Sequence, residues 1–159
     1  MEDHNPTDFL SSHHFSLVID NDRFKDFEYY LTQVEVPGIS ASAASVGIPQ
    51  LQLKKMPDTI EYDDLSFTFL VEKNMRNWLA LWEWMRETIY SDNPKRFDAR
   101  LILRTNHNNA NIEFTFIDVH PTSLGGITLQ TTGSEEATAN ATLVFDYMKI
   151  RNVFAGNEE

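Results

Sequence analysis

Cysteine is absent from the 159 residues of this chain, which excludes disulfide frameworks, thiol nucleophiles and cysteine-based zinc sites. Long apolar runs are absent as well, because no stretch approaches the roughly 20 residues that a membrane-spanning helix requires. The beginning of the sequence, MEDHNPTDFLSSHH, has neither the basic region nor the apolar stretch of a secretory signal. We therefore expect a protein that is made in the cytoplasm and does not contact a membrane.

Positive charge is scarce in this sequence. Lys and Arg total 13 against 24 Asp and Glu, which gives a formal net charge of −11, whereas proteins that grip nucleic acid need clustered cations. The length suits one domain, 1–159, and the apolar content of 42% suffices for an ordinary core. Within that domain we expect a flexible N-terminal arm at 1–12 and a polar C-terminal tail at 153–159.

The sequence carries no catalytic signature. It contains no nucleophile elbow and no glycine-rich phosphate loop, and its histidines show no zinc-binding spacing. These histidines are His4, His13, His14, His107 and His120. We therefore predict that the protein is not an enzyme and that it holds neither a metal ion nor a cofactor.

Alternation of apolar and polar residues predicts a mainly β domain of about six to eight strands. The clearest alternation lies at 65–71, where Leu65, Phe67 and Phe69 share one face. Residues 121–126 are predicted to form a turn. The other predicted strands cover residues 13–19, 27–36, 99–103, 112–116 and 141–147.

The hydrophobic period changes after residue 71 and predicts one helix, over about residues 74–90, with Asn74 as its N-cap. On a helical wheel one half is apolar, and we expect this half to face the core. Its members are Met75, Trp78, Leu79, Leu81, Trp82, Met85, Ile89 and Tyr90. Trp84 falls in the middle of the polar half, where it is either covered by loops of its own chain or available as an interface anchor.

Residues 40–57 offer no good face for burial. A run of small residues, SASAAS, precedes VGIPQLQLKKM, in which apolar and polar residues alternate loosely. Pro49 confines this segment to a sheet edge or a bulge. We interpret the segment as a projecting hairpin or loop arm that is completed by another subunit, and a mobile surface loop is the alternative.

The order of these elements resembles the tail tube proteins of contractile-tailed bacteriophages, which are related to the secreted tubes of bacterial injection machines. The resemblance runs from about residue 13 to residue 152. It rests on the following segments: FSLVI at 15–19, VEVPGIS at 34–40, VGIPQLQLKKM at 46–56, LSFTFLV at 65–71, NMRNWLALWEWM at 74–85 and TLVFDYMKI at 142–150.

The resemblance implies a small antiparallel β-barrel or sandwich with one flanking helix. It also implies that six copies form a ring, that rings stack into a tube inside a sheath, and that DNA passes through the channel without specific binding. At −11 per copy a ring carries −66 (six times −11), which suits an acidic channel that repels DNA. The implied partners are the sheath, baseplate and tail terminator proteins of the virion.

The resemblance further assigns two candidate surfaces. The arm is expected to mediate stacking of the rings through Val46, Ile48, Pro49, Leu51, Leu53, Lys54, Lys55 and Met56. The outer face of the helix is expected to contact the sheath through Arg76, Glu83, Trp84 and Glu87.

Three alternatives remain open at this stage. A baseplate protein that initiates the tube shares the fold but stops at one layer, whereas the repeated subunit forms long tubes. A secreted injection-system tube is the second alternative. A small-ligand-binding barrel is the third, because the aromatic residues, 12% of the chain, could line a pocket.

Overall fold

The computed structural model describes residues 14–24, 29–43, 46–48, 51–53, 55–104, 110–133, 135–152 and 157–158. The strands in these ranges are β1 (His14–Asp20), β2 (Tyr29–Glu35), β3 (Ile39–Ser42), β4 (Val46–Ile48), β5 (Leu51–Leu53), β6 (Thr59–Tyr62), β7 (Leu65–Leu70), β8 (Phe97–Arg104), β9 (Ala110–Leu124), β10 (Thr138–Val144), β11 (Tyr147–Asn152) and β12 (Asn157–Glu158). Helix α1 (Arg76–Tyr90) lies between β7 and β8, and a 3₁₀ turn (Asp22–Phe24) follows β1. Within the same ranges, no helix is long and apolar enough to cross a membrane.

Hydrogen bonds join most of the strands into two sheets that share β2 and β9. Sheet 1 runs in the order β2-β7-β10-β9, and sheet 2 runs in the order β2-β1-β8-β9-β11-β12. Two separate ladders, β3–β6 and β4–β5, complete the strand pairing of the described residues. All of these ladders are antiparallel, and α1 flanks the two sheets. The prediction of an antiparallel β-barrel or sandwich with one flanking helix is therefore confirmed.

The inward faces of the two sheets meet in one apolar core. Burial alternates strictly along β7, where Leu65, Phe67 and Phe69 point into the core and Ser66 and Thr68 lie on the opposite face. The core also contains Leu17, Ile19, Phe24, Leu101, Phe114, Phe116, Val119, Leu143 and Phe145. This alternation is readable in the sequence because a strand that is covered on one face repeats every two residues.

Strand β9 takes part in both sheets and is longer than the sequence predicted. It pairs first with β8 and β11, and its last residues pair with β10. Asp118 lies at the transition with φ of 56°, a left-handed conformation, and its N–H donates to Oδ1 of Asp98 at 3.2 Å. The turn predicted at 121–126 is wrong in its first part, because residues 121–124 continue the strand into sheet 1.

The predicted last strand, 141–147, is in fact the junction of two strands. β10 ends in sheet 1 and β11 begins in sheet 2, and between them the N–H of Asp146 donates to the carbonyl oxygen of Ile117 at 3.0 Å. Part of the predicted polar tail at 153–159 forms β12, which pairs with Arg151 and Asn152. The predicted N-terminal arm at 1–12 lies outside the described residues.

Helix α1 begins at Arg76 and turns a different face to the core than the helical wheel predicted. Met75 occupies the N-cap position in a left-handed conformation and makes no side-chain cap, so the cap predicted at Asn74 is wrong. The buried residues of the helix are Asn77, Ala80, Leu81 and Trp84. The predicted apolar half includes residues that are exposed, namely Leu79, Trp82, Ile89 and Tyr90.

Hydrogen bonds at the start of the helix explain this orientation. The side-chain amide of Asn77 donates to the carbonyl oxygen of Leu70 at 2.8 Å, and its Oδ1 accepts from the N–H of Glu72 at 3.2 Å. These bonds tie the first turn of α1 to the end of β7 and turn Asn77 inward. Trp84 lies two turns further along the same face, and Ala80 between them is small enough to let the helix approach closely.

Candidate assembly surfaces

The candidate functional features of the described residues are surfaces. In these ranges, no group of three or more His, Asp or Glu side chains is placed to hold a metal ion. Shallow depressions lie on sheet 1, on α1 and beside the loop that precedes β10. Three surfaces can be built from these residues: the arm, the outer side of the helix and the outward face of sheet 1.

In the structure the arm is a β-hairpin in two stages, and its strands extend beyond the predicted residues 40–57, from Ile39 to Tyr62. At its base β3 pairs with β6, and closer to the tip β4 pairs with β5. The hydroxyl of Thr59 and the N–H of Asp58 both donate to the carbonyl oxygen of Ser42 at 3.1 Å, which closes the base. The structure therefore adopts the hairpin, one of the forms that the sequence left open for residues 40–57.

Several apolar side chains of the arm are exposed. Met56 is 87% exposed, and more than half of Ile39, Leu51 and Ile60 is exposed as well. Such a concentration on one hairpin is typical of a contact surface. Among the predicted stacking residues, Leu51, Lys55 and Met56 are exposed, Val46, Ile48 and Leu53 belong to the β4–β5 ladder, and Pro49 and Lys54 lie outside the described residues.

Trp84 does not lie on the outer side of the helix, so this part of the sheath prediction is wrong. Its side chain is fully buried. Its ring centroid lies 5.5 Å from that of Phe24 and 5.1 Å from that of Phe97, and its indole N–H donates to the carbonyl oxygen of Lys95 at 3.0 Å. The 3₁₀ turn and the segment before β8 thus cover Trp84, which is the first of the two possibilities that the sequence left open.

The other predicted sheath residues differ in how accessible they are. Arg76 and Glu83 are exposed. Glu87 is engaged by Arg23, whose guanidinium donates to the two carboxylate oxygens at 2.7 and 3.1 Å. These hydrogen bonds hold the pKa of the Glu87 carboxyl below its usual range. The ion pair of Glu87 with Arg23 therefore links α1 to the 3₁₀ turn of the same chain.

Sequence reasoning missed the surface that α1 presents outward, which we call the helix outer face: Leu79, Trp82, Arg86, Ile89 and Tyr90. Tyr90 is 78% exposed, Ile89 69% and Trp82 40%. The guanidinium carbon of Arg86 lies 4.9 Å from the ring centroid of Trp82 and 5.8 Å from that of Tyr90, which is the range of cation–π contacts. A depression of about 310 Å³ lies beside this stack.

A signal for the helix outer face was present in the sequence. The apolar residues of the predicted helix spread over about half of its circumference, whereas the stripe that packs against a core is narrower. Ala80 and Trp84 stand one turn apart, and a small residue beside a large one indicates where a helix approaches its neighbour closely. Together the two patterns indicate one face for the core and a second face for a partner.

The outward side of sheet 1 carries a shallow depression of about 220 Å³. It is lined mainly by polar residues, namely Gln33, Glu35, Ser66, Thr68, Ser123, Asn140 and Thr142, together with Phe67 and Ala141. Leu70, His120 and Val144 alternate outward on the same side of the sheet. On sheet 2, Arg100 of β8 contacts Asp20 at 3.0 Å and Glu113 at 3.9 Å.

Sheet 1 is open along parts of both edges. Residues 31–35 of β2 pair with β7, and residues 120–124 of β9 pair with β10. Neither segment has a second ladder partner among the residues that the structure describes. The unpaired N–H and C=O groups of such edges are available to a strand of another chain.

Chains of several solved structures have a similar fold. A chain of the sheath-tube complex of the extracellular contractile injection system PVC matches with a TM-score of 0.70 and 16% identity, over 91% of this chain and 92% of that chain. A chain of the anti-feeding prophage tube terminating cap gives 0.65 and 18%, over 93% and 98%. Hcp1 from Salmonella typhimurium gives 0.62 and 16%, over 91% and 89%. No curated protein sequence matches the chain.

These likenesses define the class by its fold, and the sequence defines the family. The family model of the T4-like virus tail tube protein gp19 matches residues 11–149. The chain therefore belongs to the T4-like virus tail tube protein gp19 family. The resemblance to tail tube proteins that the sequence indicated is confirmed.

Proposed function

We propose that this protein is the repeated subunit of an inner tail tube in which six copies form each ring. The open edges of sheet 1 carry this proposal. Residues 31–35 and 120–124 lie at opposite ends of the strand order, so a contact between them joins different surfaces of two copies. Heterologous contacts generate rings when the rotation between copies closes, and a closed ring pairs both of these edges and so protects them from aggregation.

The arm joins each ring to the next. Its hairpin carries Ile39, Leu51, Met56 and Ile60 exposed to solvent, and burying apolar surface in a neighbouring ring favours stacking. The arm is stiffened at its base by the β3–β6 ladder, so it is ordered before contact and loses less conformational entropy on stacking than a mobile loop would.

The helix outer face contacts the sheath. Trp, Tyr and Arg dominate the binding energy of protein interfaces. The helix outer face carries one of each, all exposed, and the guanidinium of Arg86 lies against the rings of Trp82 and Tyr90. Trp82 therefore takes the role of anchor that the sequence gave to Trp84. Arg76 and Glu83 flank this face and belong to the polar rim of the contact.

The role of the tube is mechanical, and no catalytic step or cofactor belongs to it. The rings form a rigid bore through which DNA passes without specific binding, and the sheath supplies the movement. The net charge of −11 opposes adhesion of a polyanion to the particle. The tube ends on baseplate and terminator proteins, and the subunit is made in the host cytoplasm before it joins the virion tail.

Electron microscopy of the intact protein, with its mass measured by light scattering, tests this proposal. We expect sixfold rings of 110.4 kDa (six times 18.4 kDa) or hollow tubes. A species that remains at 18.4 kDa at high concentration contradicts the proposal.

Two other functions remain candidates: a tube initiator and an injection-system tube. The likeness to a chain of the anti-feeding prophage baseplate, with a TM-score of 0.67 at 9% identity, favours the initiator. The likeness to the PVC chain favours the injection-system tube. The length of the assemblies distinguishes initiator from repeated subunit, because an initiator stops at one layer. The cargo found inside native particles, nucleic acid or protein, distinguishes a virion tail from an injection system.

A further inference from the structure

We propose that the two open edges of sheet 1 recognise each other through matching β-bulges, in a register that places Glu35 of one copy beside His120 of the next. The inference rests on the proposed ring and deepens it, because it names the residues that meet where two copies join. We call this meeting of residues 31–35 of one copy with residues 120–124 of its neighbour the edge contact.

The strand directions make the edge contact antiparallel. β2 and β10 run antiparallel to β7, and β9 runs antiparallel to β10. Residues 31–35 therefore run toward the end of sheet 1 from which the arm projects, and residues 120–124 run away from that end. Neighbours in a ring have the same orientation, so the two segments meet antiparallel. Each has five residues, and they overlap completely in one register only, with Glu35 opposite His120.

The faces of the two segments match in this register. From residue 31 to 35 the side chains turn toward the core, away, away, toward and away, and the same order is read from residue 124 back to 120. The residues toward the core are Leu31, Val34, Pro121 and Leu124. The residues turned away are Thr32, Gln33, Glu35, His120, Thr122 and Ser123. A shift by one residue would place Val34 opposite His120 and break the match.

A bulge in each segment causes the two successive outward residues. The pairing of β2 with β7 skips Thr32, and the pairing of β9 with β10 skips Thr122. The hydroxyl of Thr32 donates to the carbonyl oxygen of Thr68 at 3.4 Å, and the hydroxyl of Thr122 donates to that of Thr142 at 3.2 Å. A bulged edge is a poor template for a regular strand. Two edges that are bulged at the same level follow each other, so the bulges favour a second copy of this chain.

Glu35 and His120 are complementary in charge and in hydrogen bonding. Glu35 is exposed, and His120 is half-buried with an Nδ1 that is buried and has no hydrogen-bond partner among the described residues. Within the same part of the chain neither side chain forms an ion pair. An imidazole donates an N–H to a carboxylate in either charge state, once the ring turns about its Cβ–Cγ bond to aim a nitrogen at the neighbouring copy. Such a pair fixes register more than it adds affinity.

Disulfide cross-linking tests the register, since the chain has no cysteine of its own. Glu35→Cys and His120→Cys are introduced together, and the assembled rings are oxidised and run on a non-reducing denaturing gel. Residues directly opposite in an antiparallel pair have Cα atoms about 4.5–5.5 Å apart, which a disulfide spans. We expect covalent oligomers up to a closed hexamer of 110.4 kDa (six times 18.4 kDa).

Three control chains distinguish this register from others. Each single variant, Glu35→Cys or His120→Cys, should stay monomeric on the gel, because a heterologous contact brings position 35 to position 120 and not to itself. Gln33→Cys with His120→Cys is shifted by two residues, about 7 Å along the strand, and should cross-link about tenfold more slowly or less. Within one chain, positions 35 and 120 lie three strand spacings apart, about 14 Å, which excludes an intrachain disulfide.

An exchange of charges tests the pair itself. His120→Glu sets two carboxylates opposite each other, and we expect it to raise the concentration at which rings dissociate by about tenfold or more. Glu35→Lys combined with His120→Glu restores opposite charges in the reverse sense, and the dissociation concentration should return to within about threefold of the native value. Light scattering on dilution measures both, and urea denaturation of the dissociated chains verifies that each variant is folded.

The outcomes separate the two proposals. Rings in which the shifted pair, Gln33→Cys with His120→Cys, cross-links faster overturn the register. Rings in which neither double variant cross-links overturn the edge contact. Cross-linking at 35 and 120 without recovery in the charge exchange overturns the pairing of Glu35 with His120 alone. A folded chain that forms no ring overturns the proposed function, and this inference with it.

Discussion

Trp82 and Trp84 are two residues apart in one helix and are used in opposite ways. Trp84 packs against Phe24 and Phe97, and a backbone carbonyl satisfies its indole N–H. Trp82 is 40% exposed and stacks on Arg86. The first therefore contributes to the stability of the fold, and the second is available to a partner.

Truncating each Trp separates these contributions. We expect Trp84→Ala to lower the free energy of unfolding by about 3–5 kcal/mol, because it leaves a cavity in the core, and Trp82→Ala to change it by less than about 1 kcal/mol. Urea denaturation measures both. Binding to the sheath shows the opposite pattern: Trp82→Ala weakens it about tenfold or more, while Trp84→Phe leaves it unchanged. Equal destabilisation by the two Ala variants contradicts this assignment.

The ion pair between Arg23 and Glu87 gives stability a dependence on pH. The two hydrogen bonds from Arg23 lower the pKa of Glu87 in the folded protein from its ordinary value of 4.5. The pair therefore stabilises the fold above the unfolded-state pKa, and its contribution is lost as the pH falls through the folded-state pKa.

Comparison with Glu87→Gln isolates this contribution. At pH 7 we expect the variant to be less stable than the native sequence by less than about 1 kcal/mol, because both side chains of the pair remain partly exposed. The difference shrinks as the pH falls through the pKa of Glu87 in the folded protein, because the side chain is then neutral in both proteins. Urea denaturation at a series of pH values measures it, and a difference that grows on acidification is incompatible with the proposed pairing.

At the scale of elements, the arm and the helix are tied to the core to different degrees. Helix α1 is fixed by buried side chains and by the bonds of Asn77 to the end of β7. The outer stage of the arm, β4 and β5, pairs only with itself among the described residues. The arm can therefore be changed without loss of the fold, whereas the buried face of the helix cannot.

Shortening the arm tests its role in stacking. We expect deletion of residues 43–55 to leave a folded ring-forming domain that no longer stacks, because the β3–β6 base remains and the exposed tip is removed. Leu51→Asp gives the same loss with one substitution. Leu129→Asp is the matched control, since Leu129 is an exposed leucine outside the arm. Electron microscopy detects tubes, and tubes that persist after the deletion show that the arm does not stack the rings.

At the scale of the whole molecule, like charge opposes association. Each copy carries −11 and a ring −66, so bringing copies together costs electrostatic work that salt screens over a Debye length of about 10 Å at 0.1 M. The proposed ring and stacking contacts are made by backbone edges and apolar side chains, which salt does not weaken in this range.

Assembly should therefore increase with salt. We expect the fraction of protein in tubes to rise between about 0.05 and about 0.5 M NaCl, as measured by sedimentation. A Leu51→Asp variant is the control for stacking, because salt cannot restore its lost apolar contact. Tubes that dissociate with increasing salt indicate contacts dominated by ion pairs between copies.

Local patterns in the sequence determined much of this protein. The alternation in β7 predicted its inward and outward faces, the change of period predicted α1, and the order of segments predicted the tail tube class. Each of these signals depends on neighbours within a few residues, through the two-residue repeat of a strand or the 3.6-residue repeat of a helix. The loose pattern at 40–57 likewise indicated the arm.

Only the tertiary structure decided which face of α1 is buried and where β9 and the β10–β11 junction pass between the two sheets. These features depend on contacts between distant residues, such as Asn77 with Leu70 and Trp84 with Phe24. Strand β9 passes from sheet 2 to sheet 1 at Asp118, and the chain passes from β10 to β11 at Asp146. Neither residue interrupts the alternation of apolar and polar residues clearly enough for the change of sheet to be predicted from the sequence. Local periodicity fixes which residues share a face, and long-range packing selects the face that is covered.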